Sequence, residues 1–518
     1  MTPSTAARRS RLIAPLGTAL VLTACGTTVP LSGQGAAGDP LSNGFGAATA
    51  PSATSSADLP GDAVPGSAPG ATGGPGAPAV GSAPTSGSSS AALPGARPAS
   101  GGATSTIAAK GRGWDQKVVH IGVTTTNDIS TVGNTLGLKS VNPGNLRDDA
   151  NAMVAYVNAH GGLFGRKVVP EFYDVSTGGD PTTVGQMICT HFTQDVPVVG
   201  LINMTTNGDT GDFDACVAKA HLPTLAWITD TGDDASFAAL HGYYNNLPFP
   251  SWSRFAHPFV QRLLAQGWFG GWDNTNGKPS KTAPVKVGLL EQDTPIGHEI
   301  AALLIKELRA VGHAPDATDV IFVSGEGDLS SSEVKFRADG VTHVIGLEIL
   351  FLFMETYESQ HYRPRYGINS GNAPSLFLEG TAPAAQLVGS MGVGVTPTID
   401  VFAPRDPGAK AVPGMSLCND IYSKAHVSYP ADQRYAHTNA YGMCDAFRLL
   451  LSAAQSAGGL TGELIKDGLG LVGGKVAPAM TFSNGLTGLD RGLPGAGRDL
   501  QYDQACGCYK YTSATYPL

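Results

Sequence analysis

Three apolar, β-branched runs begin at Val168, Val196 and Thr224, so their starts lie 28 residues apart. Between them sit two segments with helical character, Thr182 to Asp195 and Asp212 to Ala220. A strand, a crossover helix and the next strand need about that length, and a crossover of this kind returns the chain parallel to itself. An earlier pair fits the same scheme. Val118 to Val123 reads as a strand. Arg147 to His160 reads as a helix, with Met153, Val154 and Val157 on one face. Asp148 and Asp149 fall in its first turn, where they oppose the positive end of the helix dipole. Gly161-Gly162 ends it, because glycine adopts the left-handed cap conformation without a Cβ penalty. The expected result is a parallel sheet with helices on its faces.

The pattern then restarts. Ser251 to Gly267 reads as a helix and Val285 to Glu291 as a strand. Glu299 to Val311 is an amphipathic helix: Ile300, Leu303, Leu304, Leu308 and Val311 share a face, with Lys306, Glu307 and Arg309 outside. Val320 to Val323, Val341 to Leu347 and Arg365 to Ile368 follow as strands, and Asn439 to Ser456 is a late helix. The fold class predicted is therefore α/β, with two Rossmann-like lobes, each a parallel sheet flanked by helices, joined by a hinge. The first lobe spans residues 113–250. The second spans 251–518, with the chain crossing back late and a cysteine-containing C-terminal tail. Ligands of such sheets bind beyond the carboxyl ends of the strands. Two facing halves make a cleft that closes by hinge motion.

The first 112 residues are of another kind. Arg8, Arg9 and Arg11 precede an apolar run from Leu12 to Leu22, 11 residues long, which is too short to span a bilayer that needs about 20. The run ends in Leu22-Thr23-Ala24-Cys25. Residues 1–25 thus have the layout of an export signal, and the tetrad resembles the bacterial lipobox, in which the cysteine is lipidated and becomes the new N-terminus. The alternatives are an ordinary secretory signal with a chance cysteine and, from Arg8-Arg9, twin-arginine export. Residues 26–112 are mostly Ala, Gly, Pro, Ser and Thr. Up to Lys110 their charged residues are Asp39, Asp58, Asp62, Arg97 and Lys110. Such a stretch buries too little apolar surface to offset its ordering entropy and reads as a disordered tether. Its root-mean-square reach is roughly 50 Å.

A net charge of −9 and the absence of any Lys/Arg-rich run argue against nucleic acid as a partner. The stretch Asn158-Ala159-His160-Gly161-Gly162-Leu163-Phe164-Gly165-Arg166-Lys167-Val168, with Asp174 closing the strand, resembles the type I periplasmic binding proteins of the leucine/isoleucine/valine class. Val287 to Gly312, a strand followed by Asp293, Gly297 and a long helix, is similar to that family's second-lobe opening. The resemblance covers roughly residues 117 to 470. It implies the type I periplasmic-binding fold and the binding component of an ABC importer, with no catalysis and no cofactor. It also implies an ABC permease as partner, a monomer, and, with the tetrad at Cys25, a lipid-anchored location on the extracytoplasmic face of the cell membrane, Cys25 carrying the acyl chain.

By the same resemblance the ligand is held by loops after the strands. In the first lobe these offer Thr125, Thr126 and Asn127, then Asn203, Thr205 and Thr206, then Trp227 and Thr229. Hydroxyls and amides in a water-poor cleft suit a carboxylate or amide ligand, although Thr and Asn are also ordinary turn and cap residues. Trp227 either stacks on a ligand or packs at a domain edge. In the second lobe Asp293 and Glu348 follow strands, and each is either a partner for a ligand cation or a solvated carboxylate. Amino-acid-binding members tend to place an acid after the strand that here reads Tyr366-Gly367-Ile368; here the loop is Asn369-Ser370-Gly371-Asn372. Small polar ligands of the amino-acid, amide or organic-acid class remain in view. A sensing lipoprotein serving a signalling partner and a secreted hydrolase are the competing functions.

Seven cysteines less Cys25 leave six, an even number for an oxidising compartment. Cys189 and Cys216 lie on consecutive helices. Cys418, Cys444, Cys506 and Cys508 allow three pairings, of which Cys418–Cys444 with Cys506–Cys508 is favoured. A metal site at Cys506-Gly507-Cys508 lacks a completing histidine. No G-x-S-x-G, no complete H-E-x-x-H after His298-Glu299 and no G-x-x-x-x-G-K-[ST] is present.

Overall fold

Local chemistry sets most element boundaries in the computed structural model. It describes residues 107–518 except 127, 129–141, 178, 206–210, 228–231, 325, 347–350, 379–381, 402–411, 432 and 489. The tetrad at Cys25 lies outside the described residues. Strand β1 (Val118–Thr126) leads to α1 (Leu146–Ala159), whose cap Asn145 accepts a hydrogen bond from the Asp148 N–H. Strand β2 (Lys167–Val175) leads to α2 (Pro181–Thr190), capped by Asp180 with proline in its first turn. A π-helical turn, His191–Asp195, extends it. Next come β3 (Leu201–Asn203), α3 (Gly211–Lys219), β4 (Thr224–Ala226), α4 (Asp234–Ala239) and β5 (Tyr244–Asn246). The strand expected from Val196 is regular only from Leu201, since Pro197 has no N–H to give a ladder. The five strands are parallel in the order β2-β1-β3-β4-β5.

The second half opens with α5 (Trp252–Ala265), a two-residue ribbon of β6 (Trp272–Asp273) and β7 (Lys278–Pro279), then β8 (Val287–Gln292). Helix α6 (Pro295–Ala310) starts four residues before the expected Glu299, because Thr294 accepts from the Gly297 N–H at 3.0 Å and Pro295 has its ring at the first position. There follow β9 (Val320–Val323), α7 (Glu326–Asp339), β10 (His343–Gly346), α8 (Phe351–Ser359), β11 (Arg365–Asn369) and β12 (Met391–Gly394). Helices α9 (Met415–Lys424), α10 (Arg434–Ala457) and α11 (Gly462–Leu469) precede β13 (Ala496–Asp503), β14 (Cys508–Tyr511) and β15 (Tyr516–Pro517). The second sheet runs β14-β13-β12-β11-β10-β8-β9, parallel from β12 to β9, with β13 and β14 antiparallel at its edge.

Each sheet is covered on both faces. In the first, Phe192, Phe213 and Val217 fill one side. On the other, α1 is joined by α9, α10 and α11, which supply Cys418, Phe447, Leu450, Ile465 and Leu469 to the same core. Those helices come late in the chain, so it has crossed back after β12. It crosses again through residues 481–495 to reach β13. Together with Leu247–Ser251 this makes three connections between the sheets. They bind one another: Asn246 N–H donates to Arg491 O at 2.8 Å, Leu493 N–H to Asn246 O at 2.8 Å, and Thr396 Oγ1 to Pro248 O at 2.6 Å. Arg254 pairs with Asp490 and donates to the carbonyls of Gly485 and Gly492. Gly492 is required there, since a Cβ would lie 2.5 Å from Pro250 Cα. Disulfides join Cys189 to Cys216, Cys418 to Cys444 and Cys506 to Cys508.

The folded part begins before residue 113. Ile107 packs on the first core, Trp114 Nε1 and Arg166 Nη2 both donate to Ala108 O at 3.3 Å, and Arg112 Nη1 donates to Ala220 O. Composition places these residues in the tether, but one isoleucine and one arginine with specific partners are enough to seat them. A chain beginning at Gly113 is therefore expected to be less stable than one beginning at Thr106, by about 1–3 kcal/mol. Urea unfolding of both truncations checks this; equal midpoints would place residues 107–112 outside the cooperative unit.

Candidate functional site

The starts of two helices that follow strands, one in each half, come into contact. Helix α4 starts just beyond β4 and α6 just beyond β8, and Ser236 of the first lies 3.1 Å, Oγ to Oε2, from Glu299 of the second. Ser236 is also held by Asp233, the α4 cap, through its N–H at 2.8 Å and its hydroxyl at 3.0 Å. One hydroxyl proton cannot serve Asp233 and Glu299 at once, so Ser236 donates to one of them at a time. Sequence reasoning missed both residues, because nothing in either helix marks it as facing the other.

On the first-lobe side, β1 ends in three buried threonines. Thr124 Oγ1 donates to Asn203 Oδ1 at 2.7 Å and accepts from the Met204 N–H at 2.9 Å, which joins the ends of β1 and β3. Thr125 donates to Asp174, whose other partner is Arg147 at 2.7 Å. The Arg147 and Thr125 donors hold the Asp174 carboxyl below the usual range. Thr126 donates to Asp128 at 3.1 Å. Asn203 and Thr205 are buried beside this set. Trp227 is buried too: its N–H donates to Asn203 O at 2.8 Å, and its ring meets the edge of Tyr435 at 6.3 Å. A Cβ on Gly442 would fall 2.8 Å from that ring, so Trp227 packs beneath α10. Asn127, Thr206 and Thr229 lie outside the described residues.

Across the gap, Asp293 is exposed and accepts from His298 Nε2 at 2.9 Å and Ser324 Oγ at 3.1 Å, which hold its carboxyl low. Asn369 is buried and occupied locally. Its side chain accepts from the Gly371 N–H at 2.7 Å, and its own N–H donates to Asn372 Oδ1 at 2.8 Å. Ser370 Oγ accepts from Val395 and Thr396 N–H groups, which ties this turn to the second crossing. Glu348 lies outside the described residues. Asp400, also missed from sequence, is fully buried at that crossing; it accepts from Tyr511 Oη at 2.6 Å and the Thr396 N–H at 3.1 Å. Burial pushes its carboxyl up to about 7.

Among the described residues no cluster of three His, Cys, Asp or Glu side chains is placed to hold a metal ion, and no helix is long and apolar enough to cross a membrane. A groove of about 520 Å³ lies between α9 and α10, lined by Tyr422, Tyr429, His437 and Tyr441 among others. None of its lining residues belongs to a strand end.

The sequence model of the family described as periplasmic binding protein matches residues 137–481, two thirds of the chain. The chain belongs to that family. Its fold is the type I periplasmic-binding fold expected from the Asn158–Val168 stretch. This solute-binding protein is similar to a fatty acid ABC transporter substrate-binding protein from Thermomonospora curvata, with 15% identity over 80% of this chain and 95% of that one, at a TM-score of 0.54. It is similar to a branched-chain amino acid ABC transporter protein from Thermus thermophilus with bound valine, with 14% identity over 78% and 96% and a TM-score of 0.54. It also resembles an ABC transporter solute-binding protein from Rhodopseudomonas palustris HaA2 in complex with p-hydroxybenzoic acid, with 12% identity over 77% and 97% and a TM-score of 0.52. At these identities the likeness is one of fold. No curated protein sequence matches this binding protein.

Proposed function

We propose that this chain is a lipid-anchored, extracytoplasmic receptor that takes up a small polar ligand between its lobes and delivers it to an ABC importer. The observation that supports the reading is the Ser236–Glu299 contact, which brings the helix starts that follow β4 and β8 together. The ligand is an amino acid, an amide or a related organic acid, as bound valine and p-hydroxybenzoic acid are in the solved relatives. Contacts come from Thr125, Thr126, Asn127, Asn203, Thr205, Thr206, Trp227 and Thr229 on one side. Asp293, Glu348 and Asn369 supply them on the other. The amide turn at Asn369, where an acid would meet an ammonium, favours ligands recognised by neutral donors and acceptors. The protein acts by binding and closing, as a monomer, without catalysis.

Closure requires that the ligand favour the closed state by differential contacts. Native mass spectrometry of the purified protein, followed by a thermal-shift screen of amino acids, amides, sugars and aromatic acids, identifies the ligand. At a hundred times its Kd that ligand should stabilise the fold by about 2.7 kcal/mol. Small-angle scattering should then show a smaller radius of gyration. Thr205→Ala should raise Kd by roughly 2- to 12-fold, the loss of one hydrogen bond to an uncharged group. Asn203→Ala should also lower the melting temperature, because it removes the Thr124 partner from a buried site. A tight ligand that leaves the scattering curve unchanged would sink the cleft reading.

The anchor is tested separately. Cys25→Ser protein should lose its acyl label and leave the membrane fraction. If it stays membrane-bound in high salt without detergent, the lipobox assignment is wrong.

A further inference from the structure

We infer that Cys506-Gly507-Cys508 is a thiol-exchange site, a disulfide that small thiols open and close while the other two bridges stay shut. Three observations converge on it. The bridge sits at the tip of the β13–β14 hairpin, where Asp503 is paired with Cys508 and residues 504–507 form the turn. Gly507 takes a left-handed conformation there, with φ of 59°. The outer strand of this hairpin, β14, is the edge of the second sheet.

Accessibility separates the bridges. Cys506 is exposed, whereas Cys189, Cys418 and Cys444 are fully buried and Cys216 is half-buried. An attacking thiolate must reach one sulfur, and Cys506 at the hairpin tip is the most exposed of the six bridged cysteines. Loop length separates them as well. The hairpin bridge closes a sequence separation of 2, against 27 and 26 for the others. A bridge restrains the unfolded chain more the longer the loop it closes, and by linkage folding protects the long-loop bridges from reduction more than the short one.

The exchange proceeds in two balanced steps. A small thiolate attacks the Cys506 sulfur; a bond forms between the two, the Cys506–Cys508 bond breaks, and the electron pair leaves on the Cys508 sulfur, which takes a proton from solvent. A second thiolate then attacks the small-molecule sulfur of the mixed disulfide and releases the Cys506 thiolate. Two small thiols are oxidised to their disulfide and the hairpin bridge is reduced by two electrons. Cys506 is the attacked sulfur because Cys508 is buried.

The test is a redox titration of the oxidised, folded protein in buffers of reduced and oxidised glutathione, with acid quench, alkylation and peptide mass spectrometry at each cysteine. Cys506 and Cys508 should become alkylated at a ratio of reduced to oxidised glutathione roughly tenfold or more below that which opens either other bridge. At intermediate ratios the glutathione adduct should sit on Cys506. Opening of all three bridges together, opening of this one last, or an adduct on Cys508 alone would overturn the inference. A Cys508→Ser variant should accumulate the Cys506 adduct, and Cys506→Ser should leave Cys508 unlabelled in the folded state. If neither variant folds, the wild-type titration decides alone.

Discussion

Replacing Asp445 with alanine is expected to destabilise the protein by about 3–5 kcal/mol. Asp445 is completely buried on α10. It accepts from the Ala479 N–H at 2.8 Å and the Met480 N–H at 2.9 Å, and it pairs with buried Arg448 at 3.2 Å. Burial pushes its carboxyl up to about 6, and Arg448 with the two N–H groups keeps it from going further, so it is ionised at pH 7. Alanine leaves Arg448 charged and without this partner in the interior, and leaves two backbone donors without their acceptor. Residues 479 and 480 lead directly into the third crossing, so the damage reaches the joint between the lobes. Urea unfolding of wild type, Asp445→Ala and Asp445→Ala/Arg448→Met measures it. The double variant should recover part of the loss, since it removes the unpaired charge. A cost under about 1 kcal/mol for the single variant would show that the pair is not the anchor described.

The second large effect depends on pH. Asp149, in the first turn of α1, is fully buried against α9 and α10, and Tyr429 Oη donates to its Oδ1 at 2.8 Å. Burial pushes its carboxyl up to about 8, Asp148 adds to the rise, and Tyr429 opposes it. The folded state thus holds a proton that the unfolded chain releases near its ordinary value of 3.8. Stability from this group is complete below that value and falls as pH rises, until it is lost at about pH 8. Asp149→Asn keeps the shape and removes the titration. Its stability relative to wild type should rise by about 4 kcal/mol between pH 5 and pH 8.5. Parallel pH profiles of urea midpoints for the two proteins would show that Asp149 does not titrate in this window.

The identity of Asp149 as a core acid illustrates how far sequence reasoning reaches. Its place in the first turn of a helix made it a dipole partner, a role that holds for any exposed acid there. What the residue faces came only with α9 and α10, which follow it by more than 260 residues. The same holds for the strand-end threonines. The sequence places Thr125 and Thr126 in a loop after a strand ending at Val123, whereas β1 runs on through Thr126. That Thr124 spends its hydroxyl on Asn203, and that Trp227 lies under Gly442, depends on neighbours from other segments. Ser236 and Glu299 were illegible for the same reason.

Sequence alone determined β1 to β4 with the helices α1 to α3 between them, β8 to β11 with α5 and α6, the late helix α10, and the Gly-Gly helix end, because hydrophobic period, capping residues and glycine conformation act within a few residues of one another. It also carried the family resemblance through the Asn158–Val168 stretch. Tertiary structure decided the antiparallel edge of the second sheet, the return of α9, α10 and α11 to the first, the bonding of three crossings through Asn246, Arg254 and Thr396, and the seating of Ile107 and Arg112. Those contacts join residues far apart in the chain, and their energy comes from burial and from satisfying polar groups in the interior, neither of which leaves a local period to read.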